Sequence, residues 1–262
     1  MPAFLQAWAT PAEIEQWFAV AWLLVARLLP LVLLVPVFGV RGAPAAWLVT
    51  ASVALAAALL PSASASAPAL PSDLLALSLL TVREVCLGTL YAFALALPFW
   101  ALEWGGRLTD QWRGALPDGR GASAFGDLYL WIGIAAFLGL GGHRVVIAAL
   151  ADGLRSHPLG VVASDGGLAA LAMSSARLAA DALAAALMVA APVAAVLVLF
   201  DLALGVVARA TPALPGFVLA VPVKAALAIG VALMGSAVLL GQLPGAFTEA
   251  FAAARRLIEA AP

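Results

Sequence analysis

The sequence has little of what holds small secreted domains together and little of what most enzymes work with. Its 262 residues include one cysteine, Cys86, and two histidines, His143 and His157. Disulfides, haem attachment and a Cys/His zinc site therefore all lack the ligands they need. Charge is scarce as well: Asp, Glu, Lys and Arg make up 10% of the chain, where a soluble domain carries about 25%. Thirteen basic residues against 14 acidic ones give a net charge of −1, so there is no basic field to attract nucleic acid. No Lys or Arg precedes Arg27, and Glu13 and Glu15 lie before it. This is the reverse of the charge pattern that opens a cleaved signal peptide, and the first apolar segment is expected to be retained.

What remains is apolar. Hydrophobic residues make up 65% of the chain, against about 45–50% in soluble domains, and no water-soluble surface can be made from that. A membrane-spanning helix needs about 20 mostly apolar residues. The chain reads as an all-α polytopic membrane protein, a single domain over 1–262 with about six to eight apolar helices, several of them broken by proline, glycine or charge. The apolar regions are 14–35, 44–60, 74–102, 128–151, 168–208 and 217–243, with a polar loop at 103–127 and a tail at 245–262. Thr10, Pro11 and Glu13 form a capping box for the first helix. Pro36 is expected to end that helix, and Pro61 the second. Region 74–102 is long enough for two helices or one kinked at Pro98. Pro30 and Pro192 also lie inside apolar segments, where the carbonyls they free must be satisfied by neighbours or water.

The interrupting charges are more informative than the apolar background. Ionisable groups at membrane depth cost at least about 2.5–3.5 kcal/mol each and normally face protein or a water-filled cavity. Arg27, Arg83, Glu84, Arg177, Asp181, Asp201, Arg209 and Lys224 all fall within or at the edges of apolar segments. Arg177 and Asp181, four apart, can pair on one helix face. Arg83 and Glu84 are adjacent and are expected to find separate partners, in this chain or in another subunit. Arg83, Glu84, Asp201, Arg209 and Lys224 are the candidate intramembrane or subunit-interface residues. Counting Lys and Arg by the positive-inside bias gives no consistent topology: simple alternation leaves Arg144, Arg155, Arg177, Arg255 and Arg256 outside. Small residues at spacing four, Ala182/Ala186/Ala190/Ala194 and Ala228/Ala232/Ser236, mark ridges for close helix packing.

Catalysis finds no support. The 103–127 segment has four carboxylates, Glu103, Asp110, Asp118 and Asp127, but Arg107, Arg113 and Arg120 interleave with them. The spacings 103/107, 107/110 and 110/113 favour mutual pairing over acid/base or metal chemistry. No enzyme activity, cofactor or metal is expected.

Taken in order, the polar islands resemble a known family. ARLLPLVLLVPVFGVRGAP, REVCLGTLYAFALALPFWALEWGGRLTDQWRG, GLGGHRVVIAALADGLRSHPLG and APVAAVLVLFDLALGVVARATPALPGFVLAVPVKA together look like the T subunit of the type III secretion export gate, the family of SctT, YscT and SpaR, related to flagellar FliR. Phe99-Trp100 followed by Glu103, Gly105, Gly106, Asp110, Arg113 and Gly114, with Phe200-Asp201, is more similar to the injectisome branch. The resemblance implies a multi-pass protein of the bacterial inner membrane that assembles with R and S subunits into a helical gate and contacts the U subunit. It also implies that the chain lines part of the channel for unfolded secreted proteins, without enzymatic activity. In the family much of the apolar surface packs on partner subunits as well as lipid, and a loop plugs the empty channel. By motif that loop falls on 105–127, with Gly105, Gly106, Arg107, Asp110, Arg113, Gly114, Asp118 and Arg120 as candidate plug or channel residues. The alternatives are a flagellar-branch gate protein or a small-molecule secondary transporter.

Overall fold

The computed structural model describes residues 11–39, 44–66, 68, 70–71, 73–114, 123–160, 168–210 and 216–259. Among them every regular element is an α-helix: α1 Pro11–Leu34, α2 Ala45–Ser66, α3 Leu74–Trp112, α4 Ala124–Gly139, α5 Gly142–Ser156, α6 Leu168–Ala210 and α7 Gly216–Glu259. Four of these are long and apolar enough to cross a membrane, or up to six spans if each of two bent helix pairs counts as one. The all-α, multi-pass reading holds.

Several expected boundaries move, and proline accounts for most of them. Pro11 opens α1 and the helix ends before Pro36, as expected, while Thr10 of the capping box lies outside the described residues. Pro61 does not end α2, which runs on through Ser66; the Ser64 hydroxyl donates to the carbonyl of Pro61 at 3.2 Å. Pro98 lies inside α3, one element of 39 residues. Pro222 and Pro244 both lie inside α7, so the separate C-terminal tail expected from 245 is the continuation of that helix. Membrane helices tolerate proline because nearby hydroxyls and local adjustment re-satisfy the freed backbone groups. Region 128–151, read as one apolar segment, is two helices. Gly141 separates them at φ +75°, a left-handed conformation that favours glycine.

The chain forms two compact units. One comprises Met1–Ala96, His143–Ser175 and Phe251–Pro262, the other Leu97–Gly142 and Ala176–Ala250. In the first, α1 packs on α2 and on the first part of α3. Val20, Leu23, Leu24, Leu28 and Leu31 are buried, as are Leu80, Leu87 and Tyr91. Gly88 is required here: any Cβ at this position would meet the backbone carbonyl of Arg27. The second unit is centred on Phe99, Phe137 and Phe247, whose ring centroids are 5.0–5.4 Å apart. Ala182, Ala186, Ala190 and Ala194 are all buried, so the small-residue ridge of α6 is a packing face. Ala228 and Ala232 are buried too, while the Ser236 side chain lies outside the described residues.

Candidate functional site

Glu84 is fully buried on α3. It lies one turn before Gly88, where the backbones of α1 and α3 come close, and there the Arg27 side chain reaches it. Arg27 Nε donates to Glu84 Oε2 at 2.5 Å, and Nη2 lies 2.5 Å from the same oxygen. Arg27 Nη1 donates to the carbonyl of His157 at 2.9 Å. Glu84 Oε1 accepts from the Gly160 backbone N–H at 3.2 Å and from Arg83 Nη1 at 3.3 Å. Gly160 has φ +78°, the left-handed turn that aims its N–H back at the carboxylate. One buried carboxylate thus ties α1, α3 and the segment after α5 together. Glu84 finds its main partner, Arg27, elsewhere in the chain as expected. Its contact with Arg83 corrects the expectation that the two neighbours do not meet: arginine is long enough to fold back to the next residue. Beside this node is a cavity of about 30 Å³ whose wall includes Arg27, Tyr91 and His157. That is room for about one water, far below the roughly 300 Å³ at which solute pockets begin.

The second node is at the other end of α3. The helix runs ten residues into what reads in the sequence as a polar loop, so Gly105, Gly106, Arg107 and Asp110 are helical. The physical reason lies in packing that sequence spacing does not show. A Cβ at Gly105 would sit 2.7 Å from Val189 Cγ1 and 2.9 Å from the Ala186 carbonyl, and one at Gly106 would collide with the Phe125 backbone. The glycines are contact points between helices, where close approach offsets their low helix propensity. Glu103 is buried and holds Arg107, with Nη2 to Oε1 at 2.8 Å. Asp110 is also buried. Its Oδ1 accepts from Arg113 Nε at 2.7 Å. Its Oδ2 accepts from the Ser123 hydroxyl at 2.5 Å and the Phe125 N–H at 3.0 Å. Ser123 in turn accepts from the Gly126 N–H at 3.0 Å as the N-cap of α4. Asp110 therefore places negative charge at a helix N-terminus and fills donors that would otherwise be orphaned. The Arg113 guanidinium lies 5.6 Å from the Phe125 ring centroid, which adds a cation–π contact.

The self-neutralising pairs 103/107 and 110/113 are formed. Gly114, at φ +80°, follows Arg113 in the turn after α3, and Asp118 and Arg120 lie outside the described residues. Of the remaining candidates, Asp201 and Lys224 come together between α6 and α7, Nζ to Oδ1 at 2.6 Å, while Arg209 is exposed. Arg177 and Asp181 are both exposed and form no ion pair among the described residues. Sequence reasoning gave Ser123 no role, although its position before an apolar run, with a carboxylate at Asp127, is a legible cap signal. The Gly160 N–H, which donates to Glu84, and the His157 carbonyl, which accepts from Arg27, carry no comparable signal, because a backbone group can bond a distant side chain whatever its own residue type.

These nodes sit inside a recognisable pattern. The family model described as bacterial export proteins, family 1, matches residues 18–252. The chain belongs to that family. No curated protein matches it. The family match spans both units and includes Glu84, Asp110, Asp201 and Lys224, so neither node is an appendage to a smaller export domain. As a bacterial export protein with four to six candidate spans, the chain is a multi-pass membrane component of a multi-subunit type III or flagellar export apparatus.

Proposed function

We propose that this protein is a non-enzymatic core subunit of the type III secretion export gate in the bacterial inner membrane. With R and S subunits it forms part of the channel for unfolded protein substrates, and it contacts the U subunit. The observation that carries this reading is the family match over residues 18–252. A non-enzymatic role is supported by how the buried carboxylates are used. Glu84, Glu103 and Asp110 are each engaged by arginine, and Glu84 and Asp110 by backbone N–H groups too, an arrangement that suits structure better than proton transfer. Asp110 supports the plug assignment for 105–127 in a restricted form. Because it binds Ser123 and Phe125, it closes the base of the segment and leaves the part beyond Gly114 as the candidate to meet substrate.

The injectisome branch is the finer reading. It rests on the likeness of the E-x-GG-x-x-x-D-x-x-RG motif, in which the buried carboxylates of Glu103 and Asp110 are paired with Arg107 and Arg113. The test uses cells lacking the chain, in which export of effector-type substrates should stop and return on complementation. Loss of motility without loss of effector export would assign the flagellar branch instead. Cysteines placed between Gly114 and Ser123, in a chain with Cys86 replaced by serine, should crosslink to a substrate stalled in the channel. The plug reading fails if no position there meets substrate or changes ion leak through the empty gate.

A further inference from the structure

At Glu84 three N–H groups donate to the carboxylate, Arg27 Nε to Oε2 and Arg83 Nη1 and Gly160 N to Oε1. Arg27 Nη2 adds an ion-pair contact to Oε2 at 2.5 Å. One negative charge therefore serves two guanidiniums, and the node has a net charge of about +1, since arginine stays protonated. The short contacts, at 2.5 Å, go to Arg27; Arg83 is held at 3.3 Å. Arg83 is the surplus cation. Its side chain is 19% exposed, its Nε is buried without an acceptor, and it lies within a helix apolar enough to span a membrane. Among the described residues no second carboxylate pairs with it. Alongside it α3 turns Leu79, Val82 and Cys86 outward at helical spacing. Lys224 is the contrasting case, a cation in an apolar segment whose partner, Asp201, is already present.

We infer that this face of α3 docks a helix of another membrane subunit, and that this helix brings an aspartate or glutamate to Arg83. The inference rests on the reading of the chain as a gate subunit, and it adds which surface meets a partner and what chemistry the partner supplies. A purely apolar helix or lipid tails would cover Leu79 and Val82 but leave Arg83 uncompensated in a low-dielectric setting, where removing or lacking one partner of a buried pair is severely unfavourable. A carboxylate brings the node to two acids and two arginines.

Cys86, the only cysteine of the chain, is one turn from Arg83 and exposed, so it can take a photoactivatable maleimide in the full apparatus without any substitution. The expected product is a crosslink to one partner membrane helix that contains an acidic residue. Arg83→Leu should lower the fraction of chain recovered in the assembled complex by about tenfold while the amount of chain in the membrane stays the same. Arg83→Glu should assemble again when the crosslinked helix exchanges its acidic residue for arginine. Crosslinking to lipid alone, or assembly of Arg83→Leu at the parent level, overturns the inference. So does loss of the chain itself from the membrane in Arg83→Leu, because the charge would then act in the chain's own fold. Failure of the gate reading is read separately, as unimpaired export when the chain is deleted.

Discussion

Glu84 and Asp110 are both buried carboxylates of α3, and they solve the burial of charge in opposite ways. Asp110 is answered locally: its partners Arg113, Ser123 and Phe125 lie within 15 residues, and a helix N-terminus supplies part of the compensation. Glu84 is answered from a distance, by Arg27 at a separation of 57 residues and by the Gly160 N–H at 76. Asp110 has one arginine and ends neutral; Glu84 has two and leaves one over. The comparison separates a charge that shapes a local turn from a charge that joins distant parts of the chain and still has a valence to offer.

The largest effect is expected from removing the long-range carboxylate. Glu84→Ala would strand two guanidiniums among apolar helices, a loss of about 3–5 kcal/mol by comparison with other broken buried pairs. The amount of chain in the membrane, and export with it, should fall to near background. Glu84→Gln keeps an acceptor without the charge and should recover only part of this. If Glu84→Ala accumulates and exports normally, the distinction between the two nodes collapses. Gly88→Ala comes next, because it tests the same junction by shape alone. Its Cβ would meet the Arg27 carbonyl, a backbone atom that cannot swing aside, and overpacking of this kind costs about 1–3 kcal/mol. Thermal dissociation of the solubilised complex should report the loss.

The same contrast explains what could be read from the sequence. Spacings 103/107 and 110/113 predicted real pairs, but reach alone does not suffice: Arg177 and Asp181, four apart on α6, are exposed and form no ion pair among the described residues. Spacing conveys reach, since a helix brings residues three or four apart together on one face. The alanine ridge of α6 was legible for the same reason. Arg27–Glu84 was not, because nothing in either residue's neighbourhood states which distant helix it will meet, and the partner groups at His157 and Gly160 are backbone. The polar stretch from Glu103 read as a loop because glycines and charges weaken local helix signals. Tertiary contact at Gly105 and Gly106 overrides that propensity and carries α3 on to Trp112.

The local node should break more gently. Asp110→Ala removes acceptors from Arg113, Ser123 and the Phe125 N–H. A loss of about 1.5–3 kcal/mol fits the usual value for hydrogen bonds to a charged group. Ser123→Ala, which removes only the cap, should cost about 1 kcal/mol. The ordering Asp110 above Ser123 can be checked by thermal dissociation of the complex. Equal effects would mean that Asp110 acts only through the cap.

The smallest effect separates two cations that composition alone treats alike. Lys224 is largely buried at 17% exposure and pairs with Asp201, whereas Arg255 is exposed. Lys224→Ala should therefore impair export or assembly more than Arg255→Ala, which is expected to stay within about 0.5 kcal/mol of the parent as a surface substitution. Asp201 is half exposed, and this caps the coupling: a pair open on one side gains about 1 kcal/mol at most. A double-mutant cycle on Lys224 and Asp201 should return a value of that size. A coupling of several kcal/mol would mean that a partner or lipid covers Asp201 in the apparatus, and this pair would then belong with Glu84 among the long-range junctions and not with the self-contained ones.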